Sequence, residues 1–186
     1  MKRLFRLQYN APVTLTFALI SLAALILGKL TDGWTTTYLF SVWHSSLADI
    51  LTYPRFILHV LGHADYSHYI GNMMMILVVG PGLEEKYGSR NILSAIIITA
   101  LVSGVIYWFL FPGSMLMGAS GIVFMMIVMA SLAGMRDGYI PITLILVLIL
   151  YLGNEIVDGV MLKDNVSQLT HIIGGICGAV LGLRRR

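Results

Sequence analysis

Residues 91–135 read NILSAIIITALVSGVIYWFLFPGSMLMGASGIVFMMIVMASLAGM, 45 positions without one Asp, Glu, Lys or Arg. A helix rises 1.5 Å per residue, so about 20 apolar residues cross a hydrocarbon core of roughly 30 Å. The stretch is long enough for two crossings, and Phe111-Pro112-Gly113-Ser114 breaks it in the middle. It therefore predicts spans over about 91–111 and 118–135. Working outward, further stretches free of charge predict spans over about 66–83, 139–154 and 166–183, and a first span over 11–29. The expected fold is an all-α membrane protein, one membrane domain over residues 1–186 with six transmembrane helices.

Composition agrees with this reading and excludes others. Of the 186 residues, 58% are hydrophobic and 11% charged, and the mean hydropathy is +0.85, far from the balance of a soluble domain. Cys177 is the single cysteine, so neither a disulfide framework nor a cysteine zinc site can be built. The net charge of +3 comes from basic residues at the ends of apolar runs, with no aromatic-laced basic face, so nucleic acid is not an expected partner. Lys2, Arg3 and Arg6 precede 22 uncharged residues, Leu7 to Gly28, without a convincing small-residue cleavage site after them. This segment reads as a retained span rather than a signal peptide.

An even number of spans puts both termini on one side, together with Lys86, Arg90, Arg136 and the terminal Arg184 to Arg186. Only Lys29, Arg55 and Lys163 fall opposite, nine basic residues against three. The positive-inside rule makes the richer side cytoplasmic, in a plasma (cell inner) membrane. The connection over about 30–62 is the one long loop, and Trp34, Tyr38, Phe40 and Trp43 place it in the outer interface.

Polar groups inside a bilayer are costly unless partnered, so they direct attention to function. The fourth span opens with Gly118-Ala119-Ser120-Gly121, the second with His63, His68 and Asn72, and the sixth carries His171 in its first turns. All three spans run inward from the outer face, so these groups lie at similar depth. His68 and Asn72, four apart, share one helical face. His171, Gly174, Gly178 and Gly182 share another, on which small residues let a neighbouring helix approach closely.

Ser120, flanked by glycines at a helix start, can act as a nucleophile if a base takes its proton, and His171 is the candidate base. The Asn72 amide, the His68 imidazole and the Ser120 backbone N–H are the available donors for a tetrahedral oxyanion. Asp158 and Asp164 belong to the outer loop, which favours a dyad over a triad. Each element also has a plainer reading, as small-residue packing or as an interhelical hydrogen bond. The coincidence of depth among three unrelated segments weighs against those. No cofactor is called for, and no metal site: His59 and His63 lack a third ligand, and no His-Glu-x-x-His occurs. Glu84-Glu85 with Arg90 misses the paired-glutamate spacing of prenyl-protein proteases and reads as turn-capping or ion-pairing.

With these motifs in place, the chain resembles the rhomboid family of intramembrane serine proteases over roughly Arg55 to Leu183. The family's His-x4-His-x3-Asn corresponds to His63, His68 and Asn72, its Gly-x-Ser-Gly to Gly118 to Gly121, and its His-x2-Gly-x3-Gly to His171, Gly174 and Gly178. The turn from Leu83-Glu84 to Gly88-Ser89 also looks like the family's. The resemblance implies a six-helix rhomboid-like bundle, a water-filled cavity open to the outer face and a lateral entry. It implies Ser120 as nucleophile, His171 as base, His68 and Asn72 in the oxyanion hole, and His63 and Glu84 as structural residues. Substrates would be single-span membrane proteins cut near the outer end of their helix, after a small residue. Many members carry tyrosine four residues after the serine, where Phe124 keeps the ring and loses the hydroxyl. Some have Trp-Arg in the first outer loop, where Pro54 precedes Arg55. A minimal catalytic core is expected. The competing readings are a catalytically silent, rhomboid-like client-binding protein and a small transporter, the latter disfavoured by the lack of polar residues in the inner half.

Overall fold

The computed structural model describes residues 8–134 and 165–184, with the isolated positions 139, 142, 145, 146 and 149 between them. The expected fifth span, 139–154, thus lies outside the continuously described residues. The elements are α1 (Pro12–Leu30), α2 (Trp34–Tyr38), β1 (Val42–Trp43), α3 (Thr52–Leu58) running into a 3₁₀ turn (His59–Leu61), α4 (Tyr66–Tyr87), α5 (Ser89–Leu110), β2 (Met115–Leu116), α6 (Ser120–Ala133) and α7 (Asn165–Arg184). The protein is mostly helical, as expected. The region 30–62 is more ordered than a loop, since it contains α2, β1 and α3.

Boundaries follow from backbone chemistry. Pro12 occupies the first turn of α1, where its missing N–H would have no helical partner anyway. Asp65 caps α4, its Oδ1 accepting the His68 backbone N–H at 2.8 Å. The sequence ends this span at 83, but α4 continues through Pro81 to Tyr87 and stops at Gly88, whose φ of +83° suits a residue without Cβ. The same glycine starts α5, so a single residue reverses the chain. Residues 83–87 are therefore helix rather than turn. Similarly, α6 begins at Ser120 instead of 118, because Gly118 has φ +127° and lies outside the helix.

Burial sorts the helices into a centre and a rim. Every residue from Gly121 to Met129 is buried, as expected for the central helix of a bundle that is apolar all round. It packs against α4, α5 and most extensively α7. By contrast, α1 and α5 bury one stripe each, Phe17, Ala18, Ala24 and Leu25 on α1 and Ile92, Ala95, Ile96 and Ala100 on α5. Their outward faces expose Leu19, Ile20, Ile26, Leu93, Ile98 and Phe109, a pattern that water would not tolerate and lipid does. Among the described residues, α1 and α5 are long and apolar enough to cross a membrane.

Candidate active site

The site is assembled at the N-terminal ends of α4, α6 and α7. Ser120 is the first residue of α6 and is half-buried. Phe124 lies one turn further on the same face, and the His171 ring stacks on it with centroids 4.4 Å apart and planes 13° from parallel. The imidazole is thereby held against the first turn of α6, beside the helical face that carries Ser120. Glycines make the approach possible. A Cβ at Gly174 would overlap the carbonyl oxygen of Gly121, one at Gly178 would lie 2.5 Å from the carbonyl oxygen of Met125, and one at Gly121 would lie 2.9 Å from Thr170 Cγ2. Contacts of this kind exclude any side chain larger than hydrogen, so α6 and α7 meet backbone to backbone.

His68 and Asn72 face the loop before Ser120. A Cβ at Gly118 would lie 2.9 Å from His68 Nε2 and 4.0 Å from Asn72 Nδ2, so the missing side chain keeps open the space next to both donors. Asn72 is buried at 8% exposure and, among the described residues, its Nδ2 has no hydrogen-bond partner. Leaving a buried donor unsatisfied costs about 1–3 kcal/mol. Such a donor is tolerated where an acceptor arrives with the ligand.

His63 stands behind His68, its ring 5.1 Å away and edge-on, with Tyr69 5.5 Å off on another side. Its Nδ1 is hydrogen-bonded to Leu61 O at 3.1 Å. Burial holds this ring's pKa well below the ordinary histidine value, at about 4, with His68 beside it acting in the same direction. Glu84 is at the opposite end of α4. Its Oε1 accepts the Val13 N–H at 3.0 Å, and its Oε2 accepts the Thr14 N–H at 3.0 Å and the Thr14 hydroxyl at 2.9 Å. The carboxylate therefore caps α1 across the bundle, favourably placed at the positive end of the helix dipole, and it also bonds Ser89 just past the Gly88 turn, so the turn role expected from sequence is joined by a longer reach to α1.

Two supporting residues were not assigned to the site from sequence. Asp65, the cap of α4, sits three residues before His68, a spacing that an N-cap search would find. His59, weighed only as a metal ligand, instead ties elements together. Its carbonyl accepts the Gly118 N–H at 3.0 Å and its Nε2 is hydrogen-bonded to Ala100 O at 3.1 Å. Nothing in the sequence announces that backbone link. Among the described residues, no three His, Cys, Asp or Glu side chains gather around a common point.

The outer loop is fastened to the same place. β1 pairs antiparallel with β2, Val42 opposite Leu116 and Trp43 opposite Met115, two residues before Gly118. Arg55, 2% exposed, bonds Asp49 Oδ2 at 2.8 Å and Tyr38 O at 2.7 Å, and lies 4.1 Å over the Trp43 ring.

Fold and site together define a helical bundle protein in which a histidine of α7 stacks on Phe124, one turn after Ser120, at the N-terminal end of α6. The chain belongs to the rhomboid family: the Rhomboid domain model matches residues 51–186. It is 25% identical over 178 residues to Rhomboid protease GlpG of Pectobacterium atrosepticum, covering 94% of this chain and 63% of that protein. Over 83 residues it is 32% identical to Rhomboid protease GlpG of an Enterobacter species, covering 45% of this chain and 30% of the relative. Rhomboid-related protein 1 of Caenorhabditis elegans is 30% identical over 139 residues, covering 69% and 38%. The chain spans less than two thirds of the length of each of these relatives. Family membership and the apolar helices make it an integral membrane protein.

Proposed function

We propose that the protein is an intramembrane serine endopeptidase that cleaves single-span membrane proteins near the outer end of their transmembrane helix. In this reading the chain crosses the cell inner membrane six times, both termini are cytoplasmic and the site faces outward. Ser120 Oγ attacks the scissile carbonyl while His171 takes its proton. The oxyanion accepts hydrogen bonds from Asn72 Nδ2, the His68 imidazole and the Ser120 backbone N–H, in the space that Gly118 leaves open. His171 then gives its proton to the departing amine, and water hydrolyses the acyl-enzyme by the same steps in reverse order. The observation that carries this reading is the stack of His171 on Phe124, one turn from Ser120. The names of the relatives support the same chemistry.

A fluorophosphonate probe applied to the purified protein in detergent tests it without a known substrate. Labelling is expected at Ser120 alone, and neither Ser120→Ala nor His171→Ala should react. Labelling spread over several serines, or persisting without His171, would remove the dyad and favour the silent client-binding protein.

A further inference from the structure

A groove of about 290 Å³ runs between α1 and α5 on the outside of the bundle. Val13, Phe17 and Ile20 form one wall, Leu93 and Ile96 the other, and Leu61 of the 3₁₀ turn completes it. That turn is tied to α5 by the bond from His59 Nε2 to Ala100 O. Ala100 is 11 residues beyond Ser89, the start of α5, or about 16 Å at 1.5 Å per residue, half of a hydrocarbon core of roughly 30 Å. The groove therefore extends from the end of the bundle where α5 begins to mid-depth, the reach of a lipid tail in one leaflet. Thr16 gives it a hydroxyl, but that group is already hydrogen-bonded to the Tyr9 phenol at 2.8 Å, and the rest of the lining is apolar. Water needs several polar partners and finds none to spare there. Both flanking helices are long and apolar enough to cross a membrane, so the groove opens on hydrocarbon. Arg90 stands at its mouth, three residues before Leu93 on the same helical face. It is exposed and, among the described residues, forms no ion pair. By sequence, residues 1–11 add Lys2, Arg3 and Arg6 to this end and no acid, against the exposed carboxylate of Glu85.

We propose that this groove holds one acyl chain of an anionic phospholipid whose phosphate pairs with Arg90. The chain supplies the packing contacts that an empty apolar cleft forfeits, and the guanidinium fork suits phosphate oxygens. The site lies at the end of the bundle opposite Ser120, so the inference goes beyond the protease reading. The proposed topology places the lipid in the cytoplasmic leaflet. Its tail would brace Leu61, and with it the turn whose His59 carbonyl holds the Gly118 N–H.

The test counts phospholipid held by the full chain in detergent, by native mass spectrometry, after incubation with equal amounts of dioleoyl phosphatidylglycerol and dioleoyl phosphatidylcholine. One lipid should stay bound, phosphatidylglycerol favoured by about threefold, the scale of an exposed ion pair. Leu93→Trp and Ile20→Trp fill the groove from its two walls, at residues 47% and 48% exposed, so neither substitution enters the core. Each should lose the bound lipid while circular dichroism shows the helices intact. Arg90→Gln should hold less of either lipid and equalise the two. Lipid retained in full by both tryptophan variants, or absent from the unmodified chain, would overturn the site. A phosphatidylglycerol preference that survives Arg90→Gln would overturn the place given to the phosphate. None of these readouts uses Ser120, so the lipid site and the protease reading can fail separately.

Discussion

Two helix pairs in this bundle are closed by opposite means. Between α6 and α7 the contact is bare backbone, with Gly174 against Gly121 and Gly178 against Met125. Between α1 and α4 a glycine also permits approach, Gly80 beneath Thr14, but a carboxylate locks the end, with Glu84 holding Val13 and Thr14. The first device fixes a distance and nothing else, so its failure moves His171 relative to Ser120. The second neutralises helix-end donors in a place remote from Ser120, so its failure loosens the bundle and leaves the local geometry of the site alone. One interface should thus control rate and the other stability.

The largest effect is expected at Gly174. A Gly174→Ala methyl would fall on the Gly121 carbonyl, which is main chain and cannot rotate away. Displacing the reacting groups by about 1 Å can cost on the order of 10²-fold in rate, and kcat/KM for cleavage should drop by that much. Gly182 sharpens the point, since its added methyl would meet Leu132 Cδ1 at 3.1 Å, the far end of a flexible side chain. Gly182→Ala should lose less than about threefold, consistent with a locally absorbed clash. Equal losses at both positions would show that the glycine stripe does not set the serine–histidine distance.

At the other interface, Glu84→Ala leaves the α1 end unsatisfied, and thermal unfolding in detergent should show a loss of about 2–3 kcal/mol. Glu84→Gln keeps one acceptor oxygen and should lose about half as much. The rate per folded molecule should stay near that of the unmodified protein. A fall in kcat matching the Gly174→Ala loss would erase the distinction between the two interfaces.

Acid should act on stability through the loop that carries His59 and His63. Burial lowers the pKa of both rings from 6.5 to about 4. Between those values the unfolded chain binds more protons than the folded one, so stability rises with pH through this window. It is fully present above about 6.5 and is lost as pH falls toward 4. Each ring should contribute on the order of 1–2 kcal/mol of destabilisation by pH 5, read as a falling thermal midpoint. The slope between pH 5 and 6.5 should flatten in His59→Gln, and an unchanged slope would exclude this ring as a cause.

A smaller effect than at Gly174 is expected at Phe124. Phe124→Leu removes the stack on His171, worth about 0.5–1.5 kcal/mol for aromatic pairs, and should slow cleavage by up to roughly tenfold. Phe124→Tyr restores only a hydroxyl and should change the rate by less than about twofold, since the ring that supports His171 is retained.

Much of this arrangement is legible in residue order. The uncharged run from Asn91 to Met135 with Pro112 in it predicts α5 and α6 within two residues, because lipid-length helices and a proline break leave few alternatives. Ser120, His68, Asn72 and His171 stand out because polar side chains are rare in such runs. What sequence does not carry is contact between backbones. The Gly118 N–H to His59 carbonyl bond, the β1–β2 pairing and the reach of Glu84 to α1 join residues about 60 to 75 positions apart through groups that every residue has, or through a carboxylate with a nearer partner on offer. Helix ends were misplaced for a related reason. The charge-free stretch ends at 83 because Glu84 follows, yet α4 runs on to Tyr87, because Glu84 finds partners on α1 and a satisfied charge does not end a helix.

The shortness of α6 has a further consequence. At its C-terminal end the Lys86 ammonium donates to the Ala133 carbonyl, which on the proposed topology marks the cytoplasmic border of the hydrocarbon. From there the 14 residues of α6 climb about 21 Å at 1.5 Å each, against a core of roughly 30 Å. Ser120 thus stops about 9 Å short of the far border. On the proposed mechanism, a nucleophilic serine at that depth is sensitive to hydrophobic mismatch. Thicker lipid must either thin around the helix or bury the nucleophile further from bulk water, so acyl-chain length becomes a control on turnover that no side chain encodes.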